Sequence, residues 1–242
     1  MECFIVEPHD IDLEGRTFRL QGEEAHHASR VLRLRAGEEM LATDLNGTCY
    51  LGKYIGSEME GKEIVAQGAI TAVLSNFGEP ERNVALIQGV IAQPARWEFL
   101  LEKATELGVT EIYPVLTERS EKREVKRDRS ERILRAAVKQ TKRARKPELS
   151  ELSSLERALS KALEERRRMI LLHESAPADV TLQKALFGNS ATMLALVVGP
   201  EGGFSDEEVH LAQTTFGAEI VSLGTRRLRA ETAAIAALAM AI

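Results

Sequence analysis

The sequence predicts an α/β protein in two parts, a small β-rich domain over residues 1–74 and a larger domain over 75–242 built on a parallel sheet. Three observations carry this. From Val84 onward, short apolar runs alternate with runs of helical periodicity, the pattern of strands joined by crossover helices that cover both faces of a sheet. Two of the late apolar runs end in glycine turns, Gly199-Pro-Glu-Gly202 and Leu223-Gly224, each followed by a helix. The first seventy-odd residues contain instead alternating β-formers around Asn46-Gly47, a favoured two-residue hairpin turn.

In order along the chain, Met40–Leu45 and Thr48–Ile55 are predicted to pair across that turn, and Glu63–Leu74 to add a further strand. The polar, Gly/Pro-containing stretch Ser75–Arg82 marks the boundary. Val84–Ile91 reads as a strand. Ala95–Leu107 reads as a helix, with Trp97, Leu100, Leu101, Ala104 and Leu107 on one face and Gly108 as its C-terminal cap. Ile112–Leu116 is the next strand, followed by helices near Ser130–Arg143 and Leu155–Arg168, a strand at Met169–His173 and a short helix near Val180–Phe187. Ser205-x-x-Glu208 is a capping box opening the helix after the first glycine turn. The closing helix, Ala233–Ile242, is apolar almost all round, which implies burial in a core or against another subunit.

Composition narrows the function. With 242 residues, 44% of them hydrophobic, and no charged and apolar leader at the N-terminus, the expected class is globular, cytoplasmic and free of membrane contact. Cys3 and Cys49 are too few for a disulfide framework, and with His9, His26 and His27 they form no metal-ligand spacing, so no metal is expected. The net charge is −5, but Arg119–Lys146 holds thirteen Lys or Arg against four acids, a local +9 that leaves −14 on the remainder. Such a run is either a solvated helix face or a footprint for RNA phosphates.

The two glycine turns are candidate ligand sites, because strand-end turns in open α/β sheets let a small molecule approach the backbone. The first lacks the chemistry of a phosphate cradle, since Asp206, Glu207 and Glu208 crowd the helix start where a phosphate would sit. A tight structural connection is the alternative. The second turn adds Arg226, Arg227 and Arg229, then Glu231, so an arginine and a carboxylate stand beside the Glu201 of the first.

Val198-Gly-Pro-Glu-Gly-Gly-Phe-Ser205 together with Leu223-Gly-x-Arg-x-Leu-Arg-x-Glu-Thr-Ala233 resembles the paired signature of the bacterial 16S ribosomal RNA uridine-N3 methyltransferases, E type, in the SPOUT superfamily. Lys103-Ala-Thr-Glu-Leu-Gly108, the Gln140–Arg143 segment and His26-His-x-x-x-Val-Leu-Arg33 extend the resemblance over most of the chain. Two places depart: Lys139-Gln-Thr-Lys-Arg143 where the family often has Glu-Gln-Ser-Gly-Arg, and Leu223-Gly-Thr-Arg226 where it has Leu-Gly-Pro-Arg.

The resemblance implies a PUA-like RNA-holding barrel, a C-terminal SPOUT domain with a trefoil knot, and dimerisation through knot-region helices. It also implies S-adenosylmethionine held by Leu172, Gly199, Pro200, Glu201, Gly202, Leu223, Gly224 and Leu228. For catalysis the expected residues are Arg229, Glu201 and Glu231, which supply a cation to stabilise a uridine anion and a carboxylate to take the N3 proton. Arg229 and Glu231 could instead form a structural ion pair. For RNA, whether 16S rRNA or the small ribosomal subunit, the expected contacts are His27, Arg30, Arg33, Arg35, Gln140 and Arg143. Ribose 2′-O methylation and non-catalytic RNA binding are the competing functions.

Overall fold

The computed structural model describes residues 1–121, 124–177, 179–188 and 191–242. The chain separates into two compact units, Met1–Glu79 with Arg135–Lys146, and Pro80–Leu134 with Pro147–Ile242. The first cut falls five residues beyond the boundary read from the sequence. Residues 135–146, read there as part of the second domain, group with the first unit.

The first unit is built on β1 (Glu2–Ile5), β2 (Ile11–Asp12), β3 (Thr17–Leu20), α1 (Gly22–His26), β4 (Glu39–Thr43), β5 (Thr48–Glu60) and β6 (Glu63–Ser75). The six strands form a mixed sheet in the order β1-β4-β5-β6-β3-β2, parallel only between β1 and β4. Its inner face buries Phe4, Phe18, Leu20, Met40 and Ile70 against Ala25 and Ala28. Alternation along the strands puts these side chains on one side, as the sequence pattern requires.

The hairpin differs in its turn. β4 stops at Thr43, and the loop runs from Asp44 through Gly47. Asp44 holds it, its carboxylate accepting the N–H of Asn46 at 2.8 Å and of Thr48 at 3.0 Å. An aspartate that captures backbone donors two and four residues on makes a wider turn than Asn-Gly alone favours.

The second unit contains β7 (Asn83–Gly89), α2 (Pro94–Leu107), β8 (Glu111–Leu116), α3 (Arg127–Thr141, of which the last turns count with the first unit), β9 (Glu148–Leu149) and β10 (Ser153–Ser154). It continues through α4 (Leu155–Glu164), β11 (Arg168–Leu172), α5 (Leu182–Leu186), β12 (Met193–Val198), α6 (Asp206–Thr214), β13 (Glu219–Val221) and α7 (Ala230–Ala241). The sheet is parallel, in the order β10-β8-β7-β12-β11-β13 with β9 beside β8.

Val84, Leu86, Leu194 and Leu196 point to the side where α2, α5 and α7 pack. Ala85, Ile87, Ala195 and Val197 point to the side covered by α4 and α6. Strands buried on both faces read as continuous apolar runs, which is why the sequence located them. α2 begins with Pro94 and ends on Gly108 in the left-handed region, φ 105°.

α4 stops at Glu164, four residues before the Arg168 predicted from the sequence. Arg166 takes φ 57°, and Arg167, which continues the helical pattern in the sequence, is buried. There it donates to Glu165 at 2.6 Å, to the Asn83 side chain at 2.7 Å, to the Leu194 carbonyl at 3.3 Å and to Glu111. A buried guanidinium with partners on several strands outweighs four more helical residues.

Candidate active site

The loops that leave β7, β8, β11, β12 and β13 gather at the carboxyl ends of the parallel strands and enclose a cleft of about 510 Å³. This is where the topology of an open parallel sheet puts a ligand, and the volume lies within the range of small-molecule sites. Leu172, Gly199, Pro200, Glu201, Gly202, Leu223, Gly224, Leu228 and Arg229 all line it. The two glycine turns, well separated in sequence, thus face one space.

Backbone proximity explains the glycines. A Cβ on Gly89, the last residue of β7, would lie 2.4 Å from the nitrogen of Pro200, so only glycine lets that strand end meet the first turn. A Cβ on Gly202 would lie 2.9 Å from Arg119 Cβ, on the loop after β8. Gln88, fully buried, ties the same turn to β7 by donating from Nε2 to the Gly199 carbonyl at 3.1 Å. Ser205 and Glu208 form the predicted capping box, and Glu208 also accepts the Glu118 N–H at 2.9 Å.

The electrostatic centre is a residue the sequence reading missed. Arg96, on the first turn of α2, donates through Nε and Nη2 to the two oxygens of Glu231 at 2.8 and 2.5 Å, and through Nη1 to Glu201 at 3.2 Å. One guanidinium therefore clasps a carboxylate from each motif turn. Glu201 is further held by the Ala92 N–H at 3.2 Å. The signal for Arg96 was present: β7, Gly89 and the helix opened by Pro94 repeat the order of strand, glycine and helix seen at the two motif turns.

Glu231 requires a correction. It was expected as a candidate proton acceptor, but Arg96 occupies both its oxygens and holds its carboxyl below the usual carboxylate range. Its side chain is only 9% exposed. A carboxylate so stabilised in its charged form is a poor base. Arg96 is correspondingly raised by its hydrogen bonds to Glu231. Glu201 keeps 28% of its side chain exposed in the cleft. Arg229 is exposed at the N-terminus of α7 and forms no ion pair with Glu231, although its charge helps to hold that carboxyl low.

The expected RNA residues fare unequally. Arg30, Arg33 and Arg35 are exposed on the first unit, and the half-buried His27 ring lies 5.9 Å from that of Phe4. Gln140 is exposed. Arg143 corrects its expectation: its side chain is 2% exposed and donates to Glu79 at 2.6 and 3.3 Å, which removes it from any surface.

Part of the basic run is compensated by acids outside it. Arg127 pairs with Glu151 at 2.9 Å, Arg129 with Glu98, Arg135 with Glu7 at 3.2 Å and Lys139 with Glu24 at 2.7 Å. Lys122 and Arg123 of that run lie outside the described residues.

A parallel sheet with a strand-end cleft, preceded by a mixed-sheet unit, is an α/β build with a small-molecule site, and comparison with known proteins gives its class. The family model of the RNA methyltransferase domain matches residues 78–242, and that of the RNA methyltransferase PUA domain matches 20–65. The ribosomal RNA small subunit methyltransferase E of Rickettsia conorii is 30% identical over 215 residues, 88% of this chain and 84% of that protein. The Bacillus subtilis protein of the same name is 25% identical over 240 residues, covering 93% and 89%. Among solved structures, a ribosomal RNA small subunit methyltransferase E from Neisseria gonorrhoeae bound to S-adenosyl methionine superposes with a TM-score of 0.83 at 29% identity, covering 99% of this chain and 95% of that one. The chain belongs to the ribosomal RNA small subunit methyltransferase E family.

Proposed function

We propose that the protein transfers a methyl group from S-adenosylmethionine to N3 of a uridine in 16S ribosomal RNA, presented free or in the small ribosomal subunit. The observation that carries this reading is the convergence of both motif turns, with Glu201 and Arg229, on one cleft of small-molecule size. The cleft suits the donor: Leu172, Val198, Leu223 and Leu228 offer apolar contact, and the backbone of Gly199–Gly202 and Leu223–Gly224 offers polar groups without a phosphate cradle. The bound donor supplies an activated methyl group.

The chain's own residues then have two tasks. They must align the uridine and favour its deprotonated form, because N3 is a poor nucleophile while it holds its proton. Arg229 stands at the opening of α7, where the positive end of the helix adds to its guanidinium, so charge spreading onto a uridine oxygen is stabilised there. Glu201, partly open to the cleft and oriented by Arg96 and the Ala92 N–H, accepts or orients the N3 proton. Arg96 is a positioning residue that fixes Glu201 relative to the turn bearing Arg229.

In the same reading residues 1–74 hold RNA through His27, Arg30, Arg33 and Arg35, and residues 75–242 carry the transfer. The trefoil knot fits a connectivity in which β13 lies at the sheet edge while α7, directly after the second turn, returns to pack on α2. A homodimer fits the exposed Phe99 on α2 and Met240 on α7. A cytoplasmic site fits the substrate, and no helix among the described residues is long and apolar enough to cross a membrane.

The test is incubation of the purified protein with methyl-labelled donor and small-subunit RNA or subunits, followed by digestion to nucleosides. Label in 3-methyluridine supports the reading. Label in a ribose-methylated nucleoside, or none with either substrate, would overturn it.

A further inference from the structure

We infer that Arg226 and Arg227, with Arg119 from the loop after β8, form a phosphate-binding rim that seats the RNA backbone beside the donor cleft. The inference rests on the RNA substrate proposed above. Arg119 opens the Arg119–Lys146 run, which by sequence is either a solvated face or an RNA footprint.

Within that run, Arg127, Arg129, Arg135, Lys139 and Arg143 already hold carboxylates, so binding phosphate there would exchange one anion for another. The cleft has the opposite balance. Five arginines line it, Arg96, Arg119, Arg226, Arg227 and Arg229, against Glu174 and Glu201, in a protein whose net charge is −5. Arg96 is neutralised by Glu201 and Glu231. Arg226 and Arg227 are exposed and have no hydrogen bond or ion pair among the described residues, and Arg119 makes only a 3.4 Å contact to the Gly202 carbonyl.

Placement supplies the rest. Arg226 and Arg227 lie on the second motif turn, three and two residues from Arg229, while Arg119 approaches the first motif turn closely enough to require glycine at position 202. The cations therefore stand on two walls of one cleft. A nucleotide whose base enters between them leaves its phosphates at the rim. Guanidinium groups grip phosphate oxygens through paired donors, and a concave site focuses their field. Arginines without a carboxylate partner among the described residues gain most from an incoming polyanion.

The experiment measures RNA affinity of the full-length protein as a function of salt, for wild type, for Arg226→Gln with Arg227→Gln, and for Arg226→Lys with Arg227→Lys. Donor affinity is measured in parallel by calorimetry. The glutamine pair is expected to lower the log–log salt slope by about 1.4, roughly 0.7 for each single-strand phosphate that is no longer neutralised. The lysine pair should keep the slope, because it keeps the charge, and donor affinity should change less than twofold in both.

An unchanged slope in the glutamine pair, in an otherwise active enzyme, overturns this inference alone. So does a tenfold loss of donor affinity with the slope intact, which would assign these arginines to the donor. A wild-type protein that binds donor but neither binds nor methylates small-subunit RNA overturns the proposed function itself, and the inference with it.

Discussion

Replacing Arg96 by methionine tests the clasp that joins the two motif turns. The side chain of Arg96 is 22% exposed and that of Glu231 9%, so the variant strands a nearly buried carboxylate. Breaking a buried pair from one side costs about 3–5 kcal/mol, and the partial exposure of Arg96 puts the expected loss at the lower end, about 3 kcal/mol at pH 7. The sign of the pH dependence follows from the carboxyl. In the wild type Glu231 is held below the usual 4.5, so its stabilisation is complete at neutral pH and is lost as pH falls through the depressed value.

In Arg96→Met the same carboxyl, buried without its partner, moves above the usual value, and protonation then relieves the strain. Urea unfolding from pH 7 to pH 4 should therefore show the gap between variant and wild type narrowing with acid. Adding Glu231→Gln to Arg96→Met should recover part of the loss at pH 7. A gap below about 1 kcal/mol, or one constant across this range, would refute the reasoning.

Four further outcomes are expected. Gly202→Val, whose side chain would press on Arg119, should abolish most donor affinity in calorimetry, and undiminished affinity would remove the first turn from the donor site. Arg229→Ala should keep its fold and lose about a hundredfold or more in single-turnover rate at saturating RNA and donor, the usual effect of removing a preorganised charge stabiliser; recovery at saturation would make it a binding residue. Glu201→Gln should change the pH profile of single-turnover methylation, whereas an unchanged profile would leave solvent as the proton acceptor. Arg143→Met should destabilise the first unit by about 3 kcal/mol in urea unfolding while leaving the salt slope for RNA unchanged, because its charge is buried on Glu79.

What the sequence revealed follows from which forces act locally. The strands of the second unit were legible because burial on both faces leaves unbroken apolar runs, as in Met193–Val198. The capping box at Ser205 was legible because both partners lie within four residues. The cleft was legible through its glycines, which mark close approach. Long-range charge pairing was not. Arg167 looked like one more helical residue until Glu111 and Asn83 came to meet it from other strands. Arg129, Arg135, Lys139 and Arg143 looked like a free surface because the acids that pair with them lie far away in sequence. For the same reason Glu231 passed for a base: Arg96 is 135 residues upstream.

The most direct test of the central claim is nucleoside mass spectrometry of small-subunit ribosomal RNA from cells with and without this protein. The account predicts 3-methyluridine in the RNA of cells that have it, loss of that nucleoside in cells that lack it, and its return with the wild-type chain but not with Arg229→Ala. An unchanged level of 3-methyluridine, or a change confined to ribose-methylated nucleosides, would contradict it.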